Sequence, residues 1–419
     1  MNRTFPYRYR VLIFLFSLML LTYLDRISIG LLGKRIIAEF DLTNTQFGWV
    51  LSAFSLAYAI FEIPSGIMGD RKGQKIVLIR IVLWWSLFTA LTGVTMGFVS
   101  LILVRFLFGM GEAGALPTMS GVLSRWMPVN ELSKGISASL AGQIAGAALA
   151  PFIVVPLAVA LGWRATFFVN GAIGVLWVIL CWRWFKNNPS EMKGITEEEK
   201  SYIEKNRRIT SHQLKISWKK VLTNRSMLAL VSSFFCSQWG MYFFIAWMPV
   251  YLQKGRYFSE NSMKLTTSLI FVPAILISLA VGILGDRLVK KRGLKFGRRS
   301  IAMAALGLNC LLFLTEATTQ NDTVLIACLL TGFGCQLVFG AAAFGVCIDV
   351  GGNHAGAVSG LMNCIGQVGA FFLAIVFGKI VDSTHNFNAP LFVIAALMGI
   401  GSLLWLWVDP TKKLVAEQQ

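Results

Sequence analysis

Four ionisable side chains interrupt long apolar stretches of this chain. They are Asp25, Arg26, Arg105 and Glu112. An ionisable group at the centre of a membrane helix costs roughly 2.5–3.5 kcal/mol on insertion scales, so it usually faces a partner or a cavity and marks function. Two of the four are acids and two are bases, so they can neutralise one another in pairs. The spacing between Arg105 and Glu112 puts both on one face of a helix, about two turns apart.

These residue types suit the binding of an anion together with protons. The guanidinium of Arg26 stays charged and can donate two hydrogen bonds to one carboxylate. Burial favours the neutral form of Asp25 and Glu112, whereas a nearby arginine favours their charged form, so both are candidates for taking up a proton. In the alternative interpretation, the acids and arginines form static ion pairs that only fix helix packing. The two roles can also alternate, with an incoming anion displacing a carboxylate from Arg26.

Uncharged polar residues interrupt other apolar stretches. They are Tyr58, Gln143, Gln238, Tyr242, Asn363 and Gln367. Phenol and amide groups of this kind can bind the hydroxyl groups of a substrate, and hydrogen bonding between helices is the alternative.

The sequence carries no pattern typical of an enzyme. It lacks a Ser/His/Asp constellation and a phosphate-binding Gly-Lys-Thr loop. All seven cysteines fall in apolar stretches, without Cys-x-x-Cys or zinc-like spacing. We therefore expect no enzymatic activity, no cofactor and no metal.

The composition shows which elements must position these residues. Hydrophobic residues make up 56% of the 419 residues and charged residues only 14%, against about 25% charged in a typical soluble domain. Continuous apolar blocks of roughly 18 or more residues predict spanning helices rather than a strand barrel. The predicted fold is an all-α integral membrane protein with about twelve spans. They lie near 11–33, 46–69, 77–97, 99–121, 136–160, 165–185, 227–252, 266–286, 300–317, 323–346, 356–380 and 390–408.

The formal net charge of +18 follows the topology of the membrane rather than a nucleic-acid surface. Most Lys and Arg residues fall on the side that carries the N-terminus, and basic residues accumulate on the cytosolic side of membrane proteins. Both termini are therefore expected in the cytosol, and no nucleic-acid partner is expected.

The spans divide into two pseudo-symmetric halves of six. The boundaries are an N-terminal half at 1–185, a cytosolic linker at 186–226 and a C-terminal half at 227–419. Thr196-Glu197-Glu198-Glu199 predicts a capped helix in the linker. Transporters are commonly built from such repeats, with the substrate bound near the midplane.

A matched string supports the repeat. Gly66-Ile67-Met68-Gly69-Asp70-Arg71 ends the second span, and Gly282-Ile283-Leu284-Gly285-Asp286-Arg287 ends the eighth. The glycines permit close helix approach, and each Asp-Arg pair can lock the cytosolic helix ends. We expect a gate formed by Gly66, Asp70, Arg71, Gly73, Asp286 and Arg287.

These strings also carry a family resemblance. Gly66-x-x-x-Asp70-Arg71-x-Gly73-x-Lys75 resembles the signature loop of the major facilitator superfamily. Three further strings resemble its anion:cation symporter branch, which includes bacterial hexuronate, aldonate and glucarate carriers, sialin and the vesicular glutamate transporters. They are Tyr23-Leu24-Asp25-Arg26, Arg105-x-x-x-Gly109-x-Gly111-Glu112-Ala113 and Trp247-x-Pro249-x-Tyr251-Leu252.

The resemblance implies a proton-coupled symporter of an organic anion, of the hexuronate or aldonate type. Its substrate-binding residues would be Arg26, Tyr58, Arg105, Gln143, Tyr242 and Asn363, with Asp25 and Glu112 coupling to protons. The protein would be a monomer in the lipid bilayer of a cell membrane, the bacterial inner membrane. A drug or cation antiporter, a carrier of another monocarboxylate, and a membrane sensor or scaffold are the alternatives.

Overall fold

The computed structural model describes residues 5–207, 223–352 and 355–413, and in this part of the chain the regular elements are all helical. The side chains of Ile67, Gly69, Asp70, Arg71 and Asp286 lie outside the described set. Within it, 11 helices are long and apolar enough to cross a membrane. The apolar helix Ala389–Leu404, at 16 residues, follows as the twelfth. The predicted all-α fold with about twelve spans is confirmed.

The first six spans are helices connected by short segments. They are Tyr7–Leu31, Asn44–Lys72, Gln74–Thr92, Phe98–Glu112 continued by Ala115–Trp126, Leu132–Leu161 and Trp163–Trp184. Shorter helices are Gly33–Glu39, Val129–Glu131, Pro189–Glu191 and Glu197–Asn206.

The last six spans include a composite seventh. They are Arg225–Tyr242 continued to Gly255, Glu260–Leu269 with Phe271–Arg292, Leu294–Thr318, Asp322–Gly351, Ala355–Thr384 and Ala389–Leu404.

The chain divides into two compact units. One contains residues 1–32 and 60–213, and the other contains residues 33–59 and 214–419. The beginning of the second span therefore groups with the later spans, and its end groups with the earlier ones.

Glycines of the fifth span fix the first span in place. A β-carbon at Gly142 would lie 2.2 Å from the Phe16 carbonyl oxygen, and one at Gly146 equally close to that of Leu20. Only glycine permits this backbone approach, which is a common device between membrane helices. The sixth span adds a hydrogen bond of 3.0 Å from Asn170 Nδ2 to Ser28 Oγ. These contacts fix the position of the first span near Asp25 and Arg26.

The fourth span is interrupted directly after Glu112. Phe98–Glu112 ends there, and a new helix begins at Ala115. Pro117 explains the break, because it has no N–H to donate to the carbonyl of Ala113 and its ring clashes with that carbonyl. Glu112 is therefore the last residue of a helix inside a span.

Two carboxylates cap helices that are remote in sequence. Thr196 caps the linker helix by accepting from Glu199 N at 3.2 Å, as predicted. Glu199 in turn accepts from the backbone N–H groups of Tyr7 and Arg8 at 3.0 and 3.1 Å, so it caps the first span.

Asp382 of the eleventh span caps the second span in the same way. It accepts four hydrogen bonds of 2.6–3.1 Å from the backbone N–H groups and side chains of Asn44 and Thr45. A β-carbon at Gly378 would lie 2.2 Å from the Asn44 carbonyl oxygen, so these helices are in close contact. A carboxylate at a helix N-terminus is favoured by the helix dipole.

The gate motif is described only in part. Gly66 lies against Pro117, which would be 3.1 Å from a β-carbon. Gly73 has φ +87° and ψ 144°, and Gly293, after the repeated string, has φ +84° and ψ 162°. That backbone region is essentially restricted to glycine. Each glycine immediately precedes the next span. Arg287 is exposed, and the predicted Asp-Arg locks fall on side chains outside the described set.

Candidate functional site

The candidate site is an ion pair between the first and fourth spans. Arg26 donates from Nε to Glu112 Oε1 at 2.9 Å, and its Nη2 donates to the same oxygen. Arg26 is 8% exposed and Glu112 is 0% exposed. The guanidinium also stacks over the Tyr23 ring at 4.9 Å. Both donors use one carboxylate oxygen, so Oε2 of Glu112 has no hydrogen-bond partner.

Asp25 and Arg105 complete this group. Both are 3% exposed. Asp25 lies close enough to Glu112 and Arg105 to interact with their charges, and Glu112 interacts with both arginines. The Arg105 guanidinium lies over the Phe108 ring at 4.7 Å. The structure thus brings together all four charged residues that the sequence singled out.

Small residues around Glu112 pack closely against neighbouring spans. A β-carbon at Gly111 would lie 2.4 Å from Cδ1 of Trp84, and one at Gly114 would lie 3.0 Å from Ser65 Cβ. The third and second spans therefore pack on these residues, and the first span reaches Glu112 with the Arg26 side chain.

The group contains two unsatisfied acceptors beside two cations. Asp25 Oδ1 and Glu112 Oε2 are buried and have no hydrogen-bond partner in the part of the chain that the structure describes. Two arginines and two ionised acids sum to zero charge. A buried unpaired charge is costly, so admission of one anion charge favours uptake of one proton by an acid.

The uncharged candidates fall in separate places. Gln143 is half-buried, and its Nε2 lies 3.6 Å from Met19 Sδ of the first span, within the same unit as the ion pair. In the other unit, the Tyr242 hydroxyl donates to Gln367 Oε1 at 2.6 Å. Tyr58 is buried there beside Phe54, with ring centroids 5.7 Å apart, and Asn363 is half-buried.

One deep acid was missed by the sequence reasoning. Glu316 of the ninth span is 0% exposed. The predicted span ended at residue 317, where an acid is expected to reach water. Its burial depends on neighbours from other spans, which no local sequence pattern reports.

Comparisons with known proteins agree with this architecture. The sequence matches the Major Facilitator Superfamily over residues 15–374. It is 31% identical over 396 residues to a probable sulfoacetate transporter of Cupriavidus necator, covering 93% of this chain and 91% of that protein. It is 30% identical over 400 residues to a hexuronate transporter of Bacillus subtilis, covering 94% and 92%.

A solved structure shows the same fold. A bacterial homologue of the human lysosomal transporter Spinster superposes with a TM-score of 0.77 at 16% identity, covering 97% of this chain and 98% of that one. The chain is therefore a multi-pass membrane protein that belongs to the Major Facilitator Superfamily, a superfamily of transporters rather than enzymes, and within it to the anion:cation symporter family.

Proposed function

We propose that this protein is a proton-coupled symporter of an organic anion, working by alternating access. The observation that carries the proposal is the buried Arg26–Glu112 pair, in which the carboxylate occupies the arginine donors that an anion would use. An arriving substrate carboxylate replaces Glu112 at Arg26. Glu112 then loses its cation and gains affinity for a proton, so anion and proton bind cooperatively, and the coupling is reciprocal.

Asp25 and Arg105 act on the same equilibrium. Arg105 supplies the second positive charge of the group, and Asp25 is the second proton acceptor. Gln143, Tyr58, Tyr242 and Asn363 are proposed to contact substrate hydroxyl groups. The hydrogen bond from the Tyr242 hydroxyl to Gln367 Oε1 supports this role, because a phenol and an amide that bind each other can also bind a hydroxyl group.

We propose a hexuronate or aldonate-type sugar acid as the substrate. A site built to bind hydroxyl groups rejects analogues without them, because its own polar groups are then left unpaired. One relative is described as a hexuronate transporter, which supports this class. Another is described as a probable sulfoacetate transporter, so a small acid without a hydroxyl-rich chain is the competing substrate.

The proposed setting follows from the topology. The halves at 1–185 and 227–419, joined by the linker at 186–226, would form a monomer in the bacterial inner membrane with both termini cytosolic. The gate residues Gly66, Asp70, Arg71, Gly73, Asp286 and Arg287 would control the cytosolic ends.

Uptake by purified protein in liposomes tests the proposal. The panel contains a hexuronate, an aldonate, sulfoacetate and an unsubstituted aliphatic acid, each with an inward proton gradient, a sodium gradient or none. Accumulation of a sugar acid that requires the proton gradient is the expected result. Uptake of sulfoacetate or the aliphatic acid alone would contradict the substrate class. Accumulation that requires sodium and ignores the proton gradient would contradict the coupling.

A further inference from the structure

Glu316 is a buried acid that the proposed mechanism does not use. It lies in the last turn of the ninth span, Leu294–Thr318, with 0% exposure. Neither of its carboxylate oxygens has a hydrogen-bond partner among the described residues. A carboxylate near a helix C-terminus also meets the negative end of the helix dipole. Charge on Glu316 is therefore opposed both by desolvation and by its own helix.

Among the described residues, no lysine or arginine donates to either carboxylate oxygen of Glu316. Tyr251 of the seventh span and Cys328 of the tenth are titratable side chains that lie near it. Arg256 approaches the same helix end, but it donates to the Thr319 carbonyl at 2.7 Å and to Asp322 at 3.1 Å.

The charged residues of the helices packed against the ninth span lie near the ends of those helices. The twelfth helix, Ala389–Leu404, contains no titratable residue. In Phe271–Arg292 of the eighth span they lie at its end, close to the beginning of the ninth span and away from Glu316. Glu260 and Lys264 lie in the preceding helix, where Glu260 pairs with Arg35. On the ninth span itself, the basic residues Lys295, Arg298 and Arg299 are in its first two turns.

An aromatic cluster lies beside this acid, since a β-carbon at Gly332 would lie 3.2 Å from Phe244 Cζ and 3.7 Å from Glu316 Oε1. Phe313 lies one turn before Glu316 on the same helix, and its ring centroid is 5.6 Å from that of Phe243 and 5.7 Å from that of Phe244. Phe244 also packs against Phe333 at 5.5 Å. Such rings give an ionised carboxylate no hydrogen bonds and little solvation.

A second unpaired acceptor points at the same place. Asn309 lies seven residues before Glu316, on the same helix face, and is 0% exposed. Its Nδ2 donates to the Gly332 carbonyl at 3.3 Å, which fixes the amide orientation, and its Oδ1 has no partner. A β-carbon at Gly332 would lie 3.1 Å from Asn309 Oδ1 and 3.7 Å from Glu316 Oε1. Two buried acceptors thus border one space that a glycine leaves open.

We infer that Glu316 and Asn309 form a proton-binding site in the later spans, separate from Asp25 and Glu112. A proton on Glu316 removes the buried charge and supplies the donor that two facing acceptors need. Tyr251 lies between this site and more exposed groups. Its hydroxyl donates to Asn388 Oδ1 at 3.0 Å, and it interacts electrostatically with Arg256 as well as with Glu316. This inference goes beyond the proposed anion symport.

Infrared difference spectroscopy of the purified protein in liposomes tests this site without any substrate. The wild type should show the carbonyl band of a protonated carboxyl at neutral pH. That band should be lost in Glu316→Gln and kept in Glu112→Gln. Gly332→Ala should shift it, because a methyl group then intrudes between the two acceptors. The exposed pair partner Glu260 provides the control, since Glu260→Gln should leave the band unchanged.

Each other outcome overturns the inference. An identical band in wild type and Glu316→Gln would show that Glu316 is ionised at neutral pH. A band that appears only when sodium is removed would identify a sodium site instead. If Glu316→Gln does not fold, Glu316→Asp keeps the carboxyl and withdraws it by one methylene, so a shifted band is expected and an unshifted one contradicts the assignment. Because no substrate is used, failure here leaves the proposed symport standing, and the reverse also holds.

Discussion

Glu112 and Glu316 are two buried glutamates in opposite environments. Each is 0% exposed, and each lies in the last turn of a helix, so burial and helix dipole act on both alike. Glu112 has Arg26 as its partner and lies near Arg105 as well, whereas no described arginine or lysine donates to Glu316. The two sites differ in the nearby cation. With Arg26 beside it, Glu112 can be ionised and can exchange its partner, whereas Glu316 is best accommodated in its neutral form.

The largest effect on stability and on anion binding should come from replacing Arg26, the cation beside Glu112. Arg26→Ala leaves Glu112 buried without its partner, which destabilises a protein by about 3–5 kcal/mol, and it should abolish anion binding. Arg26→Lys should rescue binding poorly, because an ammonium is a point charge rather than a planar fork. Thermal unfolding with and without a sugar acid measures both effects.

The exposed ion pair Arg35–Glu260 supplies the control for the buried pair Arg26–Glu112. Arg35 donates to Glu260 at 2.9 and 3.0 Å, with both side chains 36% exposed. Exposed pairs contribute about 0–1 kcal/mol, so Arg35→Ala should change little. Unchanged substrate affinity in Arg26→Ala would remove this residue from the anion site.

The next largest effect is expected for Glu112→Gln, which should separate proton coupling from substrate exchange. Glu112→Gln fixes this position in a neutral form that resembles the protonated acid. The variant should still exchange labelled for unlabelled substrate across a vesicle membrane but lose accumulation driven by a proton gradient. Asp25→Asn should also lose accumulation, with weaker binding because it adjoins Arg26. Accumulation by Glu112→Gln at the wild-type level would leave Glu112 a packing residue.

The carboxylate of Asp382 is intermediate between those of Glu112 and Glu316, because it has hydrogen-bond donors but no arginine partner among the described residues. Asp382 is half-buried and accepts four hydrogen bonds from Asn44 and Thr45 without an arginine. Asp382→Asn should lower the unfolding free energy by about 1 kcal/mol, the difference between charge-assisted and neutral hydrogen bonds. A melting temperature equal to that of wild type would show that the cap is not energetically important.

The smallest change is expected at Glu316. Glu316→Met removes a buried carboxyl without a cation, which is favourable, together with the hydrogen bond that its protonated form donates to Asn309 Oδ1, which is unfavourable, so stability should change by only about 0–1 kcal/mol. Glu112→Met should be clearly destabilising, since it leaves Arg26 buried alone. Equal losses in the two variants would abolish the contrast between the environments.

The sequence was informative where the signal is local. Continuous apolar blocks predicted the helices, and their interruption by Asp25, Arg26, Arg105 and Glu112 predicted a charged group. That Arg26 pairs with Glu112 depends on how close the first and fourth spans come. This distance is set by glycines of the fifth span and by the break at Pro117.

Other features depend on tertiary neighbours. Glu316 lies near a predicted span end and did not stand out in the sequence, because residues of the seventh and tenth spans help to bury it. Asp382 and Glu199 cap helices far away in sequence, so no capping pattern within one segment reports them.

The seventh span contains two widened turns, Phe243–Trp247 and Tyr251–Gly255, on either side of Met248–Val250. Pro249 accounts for the first, because it cannot donate to the carbonyl of Ile245. In such turns the N–H of residue i+5 donates to the carbonyl of residue i, as Met248 N donates to Phe243 O. Migration of one widened turn by a single residue would turn the residue that it passes by about 100° around the helix axis, while the helix on either side keeps its orientation. A side chain beside a widened turn, such as Tyr242 or Tyr251, can therefore change its direction while the helix stays unbroken.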